Sequence, residues 1–176
     1  GKTVLLTAAG SDCAVLLGQW ARQAGAEAVY GIHRSPVHAQ RLAEMGIVPI
    51  AQHDTTAVNA AAAQAEVVYD ATGGSLAETI LSVMPETGTF VCYGLLSGQT
   101  FRQQRPLPRV AWFHIRNYLD ALSAEAWQAE FRRIWPKLRA SQCSDVTLYP
   151  LSEWQRAVGN YREAGRTGKP MLSMDN

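Results

Sequence analysis

The stretch from Gly1 to Ser35 constrains this chain most, because its pieces follow in the order strand, tight turn, helix, strand. Lys2 to Thr7 is a short, mostly apolar run of the kind that makes a strand buried on both faces. Four small residues follow, Ala8, Ala9, Gly10 and Ser11, and a helix is expected to begin near Asp12. Val15, Leu16, Gln19, Trp20 and Gln23 fall about a turn apart, Leu17 and Ala21 widen the apolar stripe, and Gly25 is placed to end the helix. Ala28 to Ile32 supplies the second strand. Such a βαβ unit sets backbone N–H groups and the positive end of a helix dipole beside a turn of tiny side chains, an arrangement that suits a pyrophosphate.

Laid on the pattern G-x-G-x-x-G, the turn reads Ala9-Gly10-Ser11-Asp12-Cys13-Ala14, with Ala9, Ser11 and Ala14 at the glycine positions. By itself this match also allows a parallel sheet that needs a tight turn here and binds nothing. The end of the second strand says more. An NAD-type site places Asp or Glu there for the ribose hydroxyls, whereas this chain has His33-Arg34-Ser35 and no carboxylate. Arg34 could pair with the additional phosphate of NADPH through its planar donors, and His33 sits where it could stack near an adenine; the alternative for Arg34 is a solvated loop charge.

Composition narrows the class. The 176 residues suit one domain, or one domain with an appendage, and 47% hydrophobic with 18% charged residues describes a globular chain. A net charge of +1 gives no broad electrostatic case for nucleic acid or an anionic membrane, and no apolar run is of membrane-spanning length. Cys13, Cys92 and Cys143 are odd in number and widely separated, which argues for a reducing, cytoplasmic setting. They lack C-x-x-C spacing, and His33, His38, His53 and His114 lack metal-ligand spacing, so no metal ligand is assigned.

Beyond Arg34, Ser35 and Pro36 open a helix expected to run to Met45, and Gly46 ends it. Ile47 to Ile50 reads as an edge strand because of Pro49. Asp54 or Thr55 caps the alanine-rich helix Ala57 to Ala65. Val67 to Asp70 is the fourth strand, Ala71 to Gly74 a second small-residue turn, Ser75 to Met84 a helix, and Gly88 to Tyr93 the fifth strand, ending in the loop Gly94 to Gly98. The turns after strands one, two, four and five all open on one rim of a parallel sheet, where ligands bind in open α/β folds. Leu107 to Phe113 is expected as a short helix, followed by a strand from His114 to Leu119. Ala124 to Leu138 is an amphipathic helix whose Trp127, Phe131, Ile134, Trp135 and Leu138 read as core, with Pro136 bending its last turn.

Several segments together resemble the nucleotide-binding half of the medium-chain dehydrogenase/reductase family, and within it the zinc-independent quinone and 2-enoyl-thioester reductases. Val4 to Ser11 is similar to the first strand and turn of that family, and Gln19-Trp20-Ala21-Arg22-Gln23-Ala24-Gly25-Ala26 to its Q-L-A-K-x-x-G-A helix end. Val68 to Gly74 resembles V-x-D-x-x-G-G, and Tyr93-Gly94 the aromatic-glycine pair before the nicotinamide-side loop. Tyr149-Pro150-Leu151 and Gly165 to Leu172 resemble the closing Y-P-L and G-R-x-x-G-K-v-v-L.

The resemblance implies a Rossmann-type doubly wound α/β fold: a six-stranded parallel sheet of order 3-2-1-4-5-6 with helices on both faces. It implies a nucleotide-binding domain over residues 1–145 and a strand-helix-strand tail over 146–176, returning towards an N-terminal catalytic domain that this chain does not contain. NADPH is the implied cofactor, held by Ala9, Ser11, Asp12, Cys13, His33, Arg34, Ser35, Thr72, Gly73, Tyr93, Gly94 and Leu95. The implied reaction is hydride delivery to a quinone or an activated C=C, with no catalytic residue in this chain, which is expected to be inactive alone. A homodimer through His114 to Leu119 is implied as well. A short-chain dehydrogenase is disfavoured because none of the six tyrosines has Lys four residues on. The alternative that stays open is a non-catalytic nucleotide-binding or structural dimerisation domain, with Asp12 and Ala14 marking a degenerate phosphate site.

Overall fold

A computed structural model of the chain describes residues 1–106, 108–119, 122–163 and 165–174. The opening unit forms as its pattern dictates: β1 (Thr3–Leu6), α1 (Asp12–Gln23) and β2 (Ala28–His33), with β1 and β2 parallel and Leu5 opposite Tyr30. Alternation along β1 divides the core into two layers. Leu5 packs with Ile32, Val68 and Phe90 beneath α3 (Thr55–Gln64) and α4 (Gly74–Val83). Val4 and Leu6 pack on the other face with Val29, against Val15 of α1 and Leu42 of α2 (Ala39–Glu44). Leu5, Leu6 and Phe90 are fully buried, each contributing on the order of 1.5–3 kcal/mol of transfer free energy.

The remaining strands are β3 (Val48–Ala51), β4 (Val67–Asp70), β5 (Thr89–Cys92) and β6 (Arg109–Trp112), and the sheet order is β3-β2-β1-β4-β5-β6, all parallel. This is the doubly wound order expected, with β3 at the edge and Pro49 within it. Asp54 caps α3 by accepting from the Ala57 N–H at 2.9 Å. No helix among the described residues is long and apolar enough to cross a membrane.

The sixth strand lies elsewhere than expected. Arg109–Trp112 is β6, and the segment expected to be a strand forms the short helix α5 (Ile115–Leu119). The helix expected at Leu107 to Phe113 is therefore absent over 109–112, and Leu107 itself lies outside the described residues. Four residues carry too little periodicity to separate the two states, and pairing with β5, Thr89 opposite Arg109 through Cys92 opposite Trp112, decides the conformation.

Helix α6 (Ala124–Arg139) forms as expected and continues through Pro136, with Ser123 accepting from the Ala126 N–H. Its aromatic stripe is not core: Phe131 and Trp135 are more than half exposed, while Trp127, Ile134 and Leu138 are half-buried. Periodicity shows that a helix face is apolar without showing what covers it. The tail forms β7 (Asp145–Pro150), α7 (Trp154–Arg162) and β8 (Gly168–Ser173), and β7 and β8 make a parallel pair separate from the main sheet.

Candidate dinucleotide-binding site

The carboxyl ends of β1, β2, β4 and β5 bring every sequence-predicted binding residue to one rim. In the first turn Ala8 takes a positive φ of 48°, and the Ser11 N–H bonds back to the Ala8 carbonyl at 2.9 Å. Ser11 then caps α1, its hydroxyl accepting from the Ala14 N–H at 3.3 Å. Ala9 is fully buried, its N–H bonded to the Ile32 carbonyl at 2.8 Å. The backbone of Gly10 passes so close to His38 that a Cβ there would lie 2.5 Å from the imidazole Cδ2. Cys13 is exposed. The Asp12 carboxylate is engaged with the tail: Oδ1 accepts from the Ser144 N–H at 3.2 Å and hydroxyl at 2.5 Å, and Oδ2 lies 3.9 Å from the Lys169 ammonium.

The turn after β4 is built by a buried network that the sequence reading had not singled out. Asp70 and Thr7 are both fully buried. Asp70 Oδ1 accepts from the Thr7 hydroxyl at 2.6 Å and the Thr72 N–H at 3.0 Å, while Oδ2 accepts from the Gly73 N–H at 2.9 Å. The Thr7 hydroxyl accepts in turn from the Ala71 N–H at 2.9 Å and the Thr72 hydroxyl at 3.1 Å. One carboxylate therefore ties the β1 and β4 turns together and fixes Gly73 at φ 68° and ψ −159°, a conformation essentially confined to glycine. The signal in sequence was a lone Asp closing an apolar strand before Ala71-Thr72-Gly73-Gly74.

Beyond β5 the loop is laced onto this turn, with Leu96 N–H to Ala71 carbonyl at 2.8 Å and Ser97 N–H to Thr72 carbonyl at 3.0 Å. Leu95 stands partly exposed above it, and the Gly94 carbonyl accepts from the Cys92 thiol at 3.3 Å. Burial pushes the Cys92 thiol up, and the neighbouring Asp70 charge adds to this against the Gly94 contact. Tyr93 has a buried hydroxyl with no partner among the described residues. Burial first, then Cys13 and Asp70, raise its phenol well above the usual range and keep it a neutral donor.

At the end of β2 stand His33, Arg34 and Ser35. His33 is buried, its Nδ1 2.9 Å from the Ser35 carbonyl, while Arg34 is exposed and unpaired among the described residues. His38 is neutral near pH 7: burial chiefly, then His33 and Arg41, lower it from its usual value. Arg41 Nη1 donates to the Ser144 hydroxyl at 2.9 Å, but its Nη2 is buried without a partner among the described residues. Gly165 in the tail abuts Ser35, so close that a Cβ would lie 2.7 Å from Ser35 Oγ. The adjoining Arg166 lies over the Tyr161 ring at 4.6 Å and has a buried Nη1 with no partner among the described residues. His38, Arg41 and Arg166 were missed because α2 and the tail meet β2 only in the fold.

A parallel sheet of this order, with helices around it and a capped helix after the first turn, defines a Rossmann-type α/β domain. A family profile described as zinc-binding dehydrogenase matches residues 14–138. The chain belongs to that family, the medium-chain dehydrogenase/reductases its motifs resemble. No curated protein matches the sequence significantly. Among solved structures it is similar to a candidate NADPH:quinone reductase from Bacillus thuringiensis (23% identity, TM-score 0.84) and to the CurK enoyl reductase (21%, 0.77). It is also similar to a mycobacterial protein in complex with NADPH (18% identity, TM-score 0.77). Each match covers 98% of this chain and 55% or 56% of the other, and at these identities the likeness is one of fold. Among the described residues no three His, Cys, Asp or Glu side chains come together as a metal site, so no step through zinc is derived.

Proposed function

We propose that this chain is the cofactor-binding part of an NADPH-dependent oxidoreductase that passes hydride to a quinone or an activated C=C. The observation that carries it is the end of β2, where His33-Arg34-Ser35 holds no carboxylate, together with buried N–H groups of Arg41 and Arg166 that lack partners among the described residues. An unpaired buried guanidinium N–H is costly, and a phosphate oxygen satisfies it. The open N–H groups of the first turn of α1 suit the pyrophosphate, with Ser11 and Ala9 keeping the turn narrow. Thr72, Gly73, Tyr93, Gly94 and Leu95 suit the nicotinamide half, with His33, Arg34 and Ser35 at the adenosine end. When bound, the dinucleotide supplies the hydride, and these residues hold and aim it.

In this reading the catalytic groups come from a domain outside the chain, and this chain alone turns nothing over. The apolar side chains that β7, α7 and β8 leave exposed, among them Leu148, Trp154 and Met171, suit a contact with that domain. A homodimer is proposed through the free edge of β6, beside the exposed Trp112, Phe113, Ile115 and Tyr118. Three unpaired cysteines fit a cytoplasmic location. The deciding experiment is titration with NADPH and NADH, followed by tryptophan fluorescence and calorimetry. Tight NADPH and weak NADH binding is expected. Arg34→Ala, if Arg34 holds the extra phosphate, should cost about 1.5–3 kcal/mol with NADPH alone. Binding of neither nucleotide would favour a structural domain.

A further inference from the structure

A carboxylate next to the phosphate turn should repel a pyrophosphate, yet the Asp12 carboxylate is engaged by the tail of the chain. Its Oδ1 receives both the N–H and the hydroxyl of Ser144, which directly precedes β7, and its Oδ2 faces Lys169 in β8. Val146 lies opposite Lys169 in the β7–β8 register, so one side chain at the start of α1 grips both strands where they begin. The Ser144 hydroxyl has a single hydrogen. It donates that hydrogen to Asp12 and offers a lone pair to Arg41 Nη1 at 2.9 Å. Arg41 is thereby fixed with its Nη2 buried and without a partner among the described residues. Four residues before Lys169, Gly165 lies against Ser35, so the backbone leading into Arg166 passes the same end of β2, and Arg166 Nη1 is buried with no partner among the described residues.

We propose that Asp12 is a positioning residue for the phosphate-bearing adenosine end of the dinucleotide: through Ser144 and Lys169 it holds the β7–β8 pair and Arg41 in place, and so presents Arg41 and Arg166. The inference rests on the NADPH reading above. Neither Arg is touched by Asp12 itself, whose carboxylate meets Ser144 and Lys169.

The test uses the full chain with NADPH, NADH and backbone hydrogen exchange. Asp12→Ala should weaken NADPH about tenfold, leave NADH within about twofold, and speed exchange in β7 and β8. Asp12→Asn keeps a carbonyl oxygen for Ser144 and should recover NADPH affinity to within about threefold of the parent. Tighter binding of both nucleotides in both variants would mean that the carboxylate acts by repulsion and would overturn the proposal. Equal weakening of NADPH and NADH would reduce Asp12 to general fold support and overturn it as well. If the parent chain binds neither nucleotide, the NADPH reading fails by itself, and unchanged tail exchange in Asp12→Ala would then remove the anchoring role too.

Discussion

Asp70 offers the strongest single perturbation, because three donors converge on a carboxylate with no exposure to solvent. Replacing it by Ala strands the Thr72 and Gly73 N–H groups and leaves the Thr7 hydroxyl without its acceptor. Each unsatisfied buried donor costs about 1–3 kcal/mol, and allowing for non-additivity and for rotation of the Thr7 hydroxyl, about 3 kcal/mol is expected in all. Asp70→Asn retains a carbonyl for Thr7 and Thr72 but sets an amide donor against the Gly73 N–H, for about 2 kcal/mol. Thr7→Val removes the hydroxyl that serves both Asp70 and the Ala71 N–H, again about 2 kcal/mol. Urea unfolding followed by tryptophan fluorescence reads these directly. At a slope of about 2 kcal/mol/M the midpoint of Asp70→Ala should fall by about 1.5 M. Because the two residues share one network, the Thr7→Val/Asp70→Asn double variant should fall short of the sum by more than about 0.5 kcal/mol. A loss below about 1 kcal/mol for Asp70→Ala, or strict additivity in the double variant, would refute the network as the fastener of the two turns.

Gly73→Ala forces a side chain onto a glycine-only conformation and puts its Cβ 2.6 Å from the Gln99 carbonyl oxygen, so a loss of at least about 2 kcal/mol is expected by the same unfolding assay. The folded-state pKa of His38 lies below its unfolded value of 6.5, so the unfolded chain binds more protons between the two. Stability is therefore full above about pH 6.5 and is lost as pH falls through the folded pKa, and His38→Gln should flatten that slope in pH-dependent unfolding. A phosphate dianion beside the ring would raise the same pKa, so calorimetry in buffers of different ionisation enthalpy should show proton uptake with NADPH and none with NADH. Trp112→Lys on the edge strand should give a folded monomer where the parent sediments as a dimer; a monomeric parent would remove the β6 interface.

The rim was legible because its residues announce themselves locally: small side chains after apolar runs, Ser before a helix, glycines after Asp70. What could not be read was anything assembled from distant segments. His38 carries no local signal of its place over Gly10, and Arg166 was visible only as part of a closing motif. Asp12 was read as a neighbour of the phosphate because sequence gives its position on the chain and not the direction of its side chain.

By itself the sequence determined the alternating strands and helices of a parallel sheet and the rim on which the turns open, since hydrophobic period, turn chemistry and helix caps are properties of contiguous residues, while the strand order was implied by the family resemblance. The tertiary structure alone decided that 109–112 and not 114–119 is the sixth strand, because so short a segment takes its conformation from the neighbour it pairs with. It alone decided, too, that Asp12 binds Ser144 and Lys169, more than 130 residues away, because hydrogen bonds follow distances in space that no local pattern encodes.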